Sequence, residues 1–124
     1  MASANEEVFT TWTKQLDDAA VSIVYMCGEL DATSAPAFLT DVQPLISAQR
    51  SLVMDTHLLS YIDSTGLGAM FSIKQALQHV GRGICIVGAH GLLSKIMQVT
   101  RADHEFHCYE NVDEAMKEYG TLGW

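Results

Sequence analysis

Three short apolar runs decide most of what this chain can become: "VSIVYMC" at 21–27, "SLVMDT" at 51–56 and "GICIVGA" at 83–89. Each is rich in β-branched or sulfur-bearing side chains and too short for a buried helix, so each reads as a buried strand. The segments between them change period. Ala35, Phe38, Leu39, Val42, Leu45 and Ile46 follow the first run at helical spacing. Leu67, Met70, Ile73, Leu77 and Val80 follow the second and are closed by Gly81, and Leu92, Leu93, Ile96 and Met97 follow the third. Strands that alternate with helices need crossover connections, which places them in a mostly parallel sheet.

The flanks extend this frame. "VFTTWTKQ" at 8–15 has strand composition and "DDA" at 17–19 reads as a hairpin turn, so the first strand pairs at an edge. "EFHCY" at 105–109 predicts a short edge strand. A last helix begins at Asn111, with Glu114 completing the cap and Val112, Ala115, Met116 and Tyr119 on the buried face. Ser34 is the expected N-cap of the first helix and Pro36 lies in its first turn, while Pro44 predicts a kink or a short second segment. The expected class is α/β: a mostly parallel or mixed sheet of four to five strands with four helices, in the order β-β-α-β-α-β-α-β-α.

The 124 residues suffice for one domain, 1–124, with its own core. Formal net charge is −8, and the seven Lys and Arg are scattered singly, a surface that repels phosphate backbones; no nucleic-acid partner is expected. No run is long and apolar enough to span a membrane and "MASANEEVF" lacks the features of a signal peptide, so the expectation is a cytoplasmic protein with no membrane association. Cys27, Cys85 and Cys108 are far apart and odd in number, which predicts reduced, mostly buried thiols.

Two unusual segments, "GELDATSAP" at 28–36 and "YIDSTGLG" at 61–68, both stand after a strand and before a helix. In parallel sheets such junctions gather at the carboxyl ends of strands, so the two should meet. A phosphate cradle is a poor fit: Gly66-Leu67-Gly68 is half a dinucleotide fingerprint, with Phe71 where a third glycine would stand. A receiver domain would need acidic residues after the first strand and a later lysine, so Asp55 reads as a strand-end residue tying down its loop. No base is committed to Ser64 by its neighbours, as nucleophilic catalysis would require. The spacing of His104, His107 and Cys108 in an edge strand turns them to opposite faces, against a metal site. The plain account of Asp63-Ser64-Thr65 is helix capping. It leaves the two glycines unexplained, since each costs about 1 kcal/mol in a helix relative to alanine. A capping hydroxyl at an exposed helix start is also one that a kinase can reach.

"GELDATSAP", followed by "DTHLLSYIDSTGLG", then "GRGICIVG" and "LLSKIMQVT", resembles the STAS domain, specifically the bacterial anti-sigma factor antagonists, over about residues 8–119. The resemblance implies a partner-switching protein without enzymatic activity or cofactor, a monomer or weak dimer. Its partners would be an anti-sigma factor that is also a serine kinase, and a serine phosphatase. It implies Ser64 as phosphoacceptor, with Thr65 the fallback, and a binding surface of Asp31, Ser34, Asp63, Ser64, Thr65, Gly66, Leu67 and Gly68. If Ser64 also caps, its replacement by alanine is expected to cost about 0.5–2 kcal/mol. The alternative within the resemblance is a STAS protein with a non-sigma partner (a stress complex, a signalling or lipid-transport assembly), or a module sensing a small molecule or nucleotide. Many members end the third helix in Thr-Gly, whereas here Arg101 follows Thr100. His57 and Trp124 have no role assigned by the resemblance.

Overall fold

The computed structural model describes residues 9–16, 20–121 and 124. Along the chain lie β1 (Phe9–Leu16), β2 (Val21–Leu30), α1 (Ala35–Ser47), β3 (Ser51–Ile62), α2 (Ser64–His79), β4 (Ile84–Val87), α3 (Gly91–Thr100), β5 (His107–Tyr109) and α4 (Val112–Thr121), with a 3-10 turn at Ala102–His104. This is the expected order. The strands form one sheet in the sequence β1-β2-β3-β4-β5, with β1 antiparallel to β2 and every other pair parallel. The hairpin turn expected at 17–19 lies outside the described residues.

Alternation along the strands makes two cores. Val24, Met26 and Leu30 of β2, with Leu52 and Met54 of β3, face Phe38 of α1, Ile73 of α2 and Met97 of α3. Val21, Ile23, Val53, Cys85 and Val87 point the other way, under Ala115 of α4. Thus α1, α2 and α3 cover one face of the sheet and α4 covers the other.

Both central strands outrun their sequence limits. β2 continues past Cys27 to Leu30, and β3 past Thr56 to Ile62. β3 carries one extra residue between the pairs Tyr25–Asp55 and Cys27–Leu58, and another between Gly28–Leu59 and Glu29–Tyr61. Each bulge shifts the inward phase by one residue: Met54 faces the core, then Leu59, then Ile62. A strict period of two therefore ends at Thr56 although the strand does not. β4 pairs with β3 only as far as Asp55, so within the sheet residues 56–62 pair with β2 alone, as a two-stranded ribbon. Asp55 lies inside the strand at the first bulge rather than at the strand end.

Pro44 produces no second segment: α1 is one helix through Ser47. The proline lies in the last turn, where Ala48 N–H still reaches its carbonyl at 3.0 Å. Of the cysteines only Cys85 is fully buried, and burial raises its pKa far above the ordinary thiol range; Cys27 is half-buried and Cys108 exposed.

Two helices end on residues other than glycine in the left-handed region. Gln49 (φ 58°) follows α1, and Arg50 N–H closes back on Leu45 O at 3.2 Å. Arg101 (φ 65°) ends α3 and donates its N–H to Gln98 O at 3.3 Å. A side chain here costs about 1 kcal/mol relative to glycine. Arg101→Gly should therefore raise stability by about 1 kcal/mol in urea unfolding. Unchanged stability would mean that the arginine has contacts offsetting the strain.

Candidate functional site

The ribbon sets the site. Leu30 and Ile62 are its last paired residues, and Asp63 N–H donates to Leu30 O at 3.3 Å, so the two strand ends leave the sheet together. The segments "GELD" and "IDSTG" are adjacent, as expected.

Asp63 starts α2. Its backbone is extended (φ −118°, ψ −173°) and its Oδ1 accepts the Gly66 N–H at 2.9 Å, an N-cap bond. Ser64 is therefore not the cap. Ser64 and Thr65 occupy the first two helical positions, both exposed, and neither hydroxyl has a partner among the described residues.

The glycines differ. Gly66 is buried: a methyl group there would stand 2.5 Å from Leu30 O and 2.9 Å from Ile62 Cγ1. Its missing side chain lets α2 seat against the end of β2. Gly68 is exposed, and a methyl group there would meet nothing within 4 Å. Leu67, between them, turns its side chain into the core. Phe71 packs on Phe106, ring centroids 4.9 Å apart.

On the β2 side, Asp31 Oδ1 accepts N–H bonds from Thr33 (2.9 Å) and Ser34 (3.2 Å). Ser34 stands at the N-cap of α1 without bonding the helix's own N–H groups. Its hydroxyl donates to Glu29 O at 2.8 Å and accepts from Asp31 N–H at 3.0 Å, so it braces its own loop and presents no free hydroxyl. Glu29, Asp31 and Asp63 leave the rim acidic.

The ribbon also exposes Leu58 and Tyr61, 57% and 41% accessible. Sequence reading assigned these residues no role, because the strand appeared to stop at Thr56. The signal that could have found them is Leu59 and Ile62, apolar residues three apart that continue the buried face. His104 lies in the 3-10 turn and His107 in β5, and no group of three or more His, Cys, Asp or Glu among the described residues converges on a possible metal position.

The family model of the STAS domain matches residues 12–115. The chain belongs to the STAS domain family. An anti-sigma factor antagonist from Mycobacterium paratuberculosis has a similar structure at 26% identity, covering 88% of this chain and 92% of that one, with a TM-score of 0.77. SpoIIAA of Bacillus in its phosphorylated form is similar at 15% identity over 88% of this chain and 98% of that one, with a TM-score of 0.69. The murine anion transporter Slc26a9 carries a similar domain at 19% identity, covering 84% of this chain but 18% of the transporter, with a TM-score of 0.69. Among the described residues, this STAS domain has a five-stranded mixed sheet and four helices. In this STAS domain the D-S-T-G-L-G stretch divides by burial, with Asp63 capping, Gly66 and Leu67 inside, and Ser64, Thr65 and Gly68 outside.

Proposed function

We propose that the protein is a cytoplasmic anti-sigma factor antagonist that works by partner switching. Unphosphorylated, it binds an anti-sigma factor that is also a serine kinase and so frees a sigma factor. Phosphate on Ser64 ends that binding until a serine phosphatase removes it. The observation that carries this reading is Ser64 itself: an exposed hydroxyl without a partner among the described residues, at the first position of α2, with Asp63 holding the cap. The antagonist from Mycobacterium paratuberculosis, and SpoIIAA in its phosphorylated form, support it by likeness.

The physical chemistry fits such a switch. A phosphoserine adds about −1.5 to −2 charges at neutral pH. At a helix start that charge is favoured by about 0.3–1 kcal/mol, so the fold tolerates it. A partner fitted to the neutral hydroxyl instead meets bulk and charge on an already acidic rim. The protein itself acts as a binding module and not as an enzyme.

The test is incubation with the anti-sigma serine kinases of the same genome and ATP, followed by intact mass and phosphopeptide mapping. Wild type should gain one phosphate on Ser64, and Ser64→Ala none while retaining partner binding. Because Asp63 is the cap, Ser64→Ala should also melt within about 0.5 kcal/mol of wild type, not with the loss expected of a capping serine. Label on Thr65 would move the acceptor by one residue. No label on either hydroxyl from a kinase that binds the protein would sink the switch.

A further inference from the structure

A second crevice opens at the far half of the sheet. The connections after β4 and β5 leave in opposite directions, because α3 packs on one face and α4 on the other. Adjacent parallel strands whose connections diverge leave a crevice outside their carboxyl ends, a recurrent place for ligands in α/β sheets. Here it is a cavity of about 550 Å³, with Gly88 and Tyr109 at the strand ends, Ser94 and Gln98 on α3, and Glu114 on α4. That volume suits a small organic molecule.

Two lining imidazoles are fixed in what they offer. His57 Nδ1 lies 2.8 Å from Asp55 Oδ1, and since a carboxylate only accepts, Nδ1 carries the proton and Nε2 is left an acceptor in the neutral ring. Asp55 Oδ1 also accepts the His57 N–H at 3.1 Å, which locks the pair at the first bulge of β3. His90 Nε2 lies 3.1 Å from both Thr56 O and His57 O, so it is the donor and leaves Nδ1 as the acceptor. Gly88 is part of the same construction: its φ is +75°, and a methyl group there would stand 2.6 Å from the His57 ring.

The remaining charged side chains of the lining are Asp103, Glu110 and Glu114; no lysine or arginine contributes. Glu114 Oε1 is engaged by Glu110 N–H at 3.4 Å, while Asp103 faces His104 at 3.8 Å on the rim. Although Cys108 is exposed as a residue, its sulfur is partly desolvated, and that first, then the Asp103 charge, holds its thiol above its ordinary pKa. The three carboxylates and the two imidazole acceptors outweigh the neutral donors Ser94, Gln98 and Tyr109. With no basic side chain in the lining, the arrangement disfavours phosphates and carboxylates and favours a cationic donor.

We infer that this crevice is a binding site for a small amine-bearing cation, separate from the Ser64 surface and built around the His57 and His90 acceptors. His57, without a role on sequence grounds, would accept an ammonium N–H while Asp103 and Glu110 supply charge. The inference does not rest on the antagonist reading.

The test is amide-resolved NMR titration of the whole chain with hexamethylenediamine, with hexanediol as the uncharged analogue and inorganic phosphate as the anion. The diamine should give saturable shifts confined to Asp55–His57, Gly88–Gln98, Asp103 and Cys108–Glu114, persisting at physiological salt, with neither control moving those amides. An Asp103→Asn, Glu110→Gln variant should bind the diamine on the order of tenfold more weakly, with the free protein's melting unchanged. Shifts scattered over the acidic surface, no saturation at millimolar diamine, equal binding by the variant, or equal response to hexanediol or phosphate would each overturn the site.

Discussion

Gly66→Ala should unfold the protein earlier, while Gly68→Ala, two residues on, should do the reverse. The methyl group at Gly66 would stand 2.5 Å from a backbone carbonyl of the core strand β2, and a carbonyl in a paired ribbon cannot rotate away as a side chain could. Overpacking of this kind costs about 3 kcal/mol, of which helix propensity returns about 1 kcal/mol. The net loss of about 2 kcal/mol should lower the melting temperature by about 8 °C for a domain of this size. At Gly68 nothing opposes the methyl group, so only the propensity gain remains, a rise of about 1 kcal/mol. Thermal and urea melts of the two variants decide it. If both lose stability alike, the close approach of α2 to Leu30 is not what Gly66 serves.

Gly68→Glu should separate binding from folding. The position is exposed, one helical turn from Ser64, on the side of α2 that also shows Thr65. A side chain there would project from the proposed partner surface without touching the core, so melting should stay within about 0.5 kcal/mol of wild type. Association with the anti-sigma kinase should weaken by roughly 100-fold, the scale of an obstructed residue near the centre of an interface. Titration calorimetry against the kinase measures this. Normal binding by a folded Gly68→Glu would put the partner surface elsewhere, and the ribbon's exposed Leu58 and Tyr61 would be the next residues to test.

Element order and type were legible because the apolar runs change period cleanly at each boundary. What escaped the sequence came from single-residue events. The two bulges of β3 each shift the inward phase by one, so alternation that had located the strand also ended it six residues early. Gly66 and Gly68 look equivalent in the sequence, yet a helix turns successive residues by about 100°, which buries one and exposes the other. Asp63 and Ser64 are both favoured caps, and the extended backbone of Asp63 decides between them. Ser34 was placed correctly at the start of α1, but the bonds of its hydroxyl depend on the turn that Asp31 makes. His57 carried no local signal, since its setting is assembled from Asp55, Gly88 and the α3 connection.

The strictly sequential order of the strands also bears on how the chain is assembled. Each strand pairs with the one made just before it, so no segment waits for a distant partner to be synthesised. The longest closure is a single crossover, which keeps the entropy of each step small and favours rapid folding for a mixed α/β chain. As the chain leaves the ribosome, the β1–β2 hairpin can act as a template for β3, which in turn offers its edge to β4. The ribbon that leads into Ser64 belongs to β2 and β3, so the proposed switch surface would be laid down before the second half of the sheet exists.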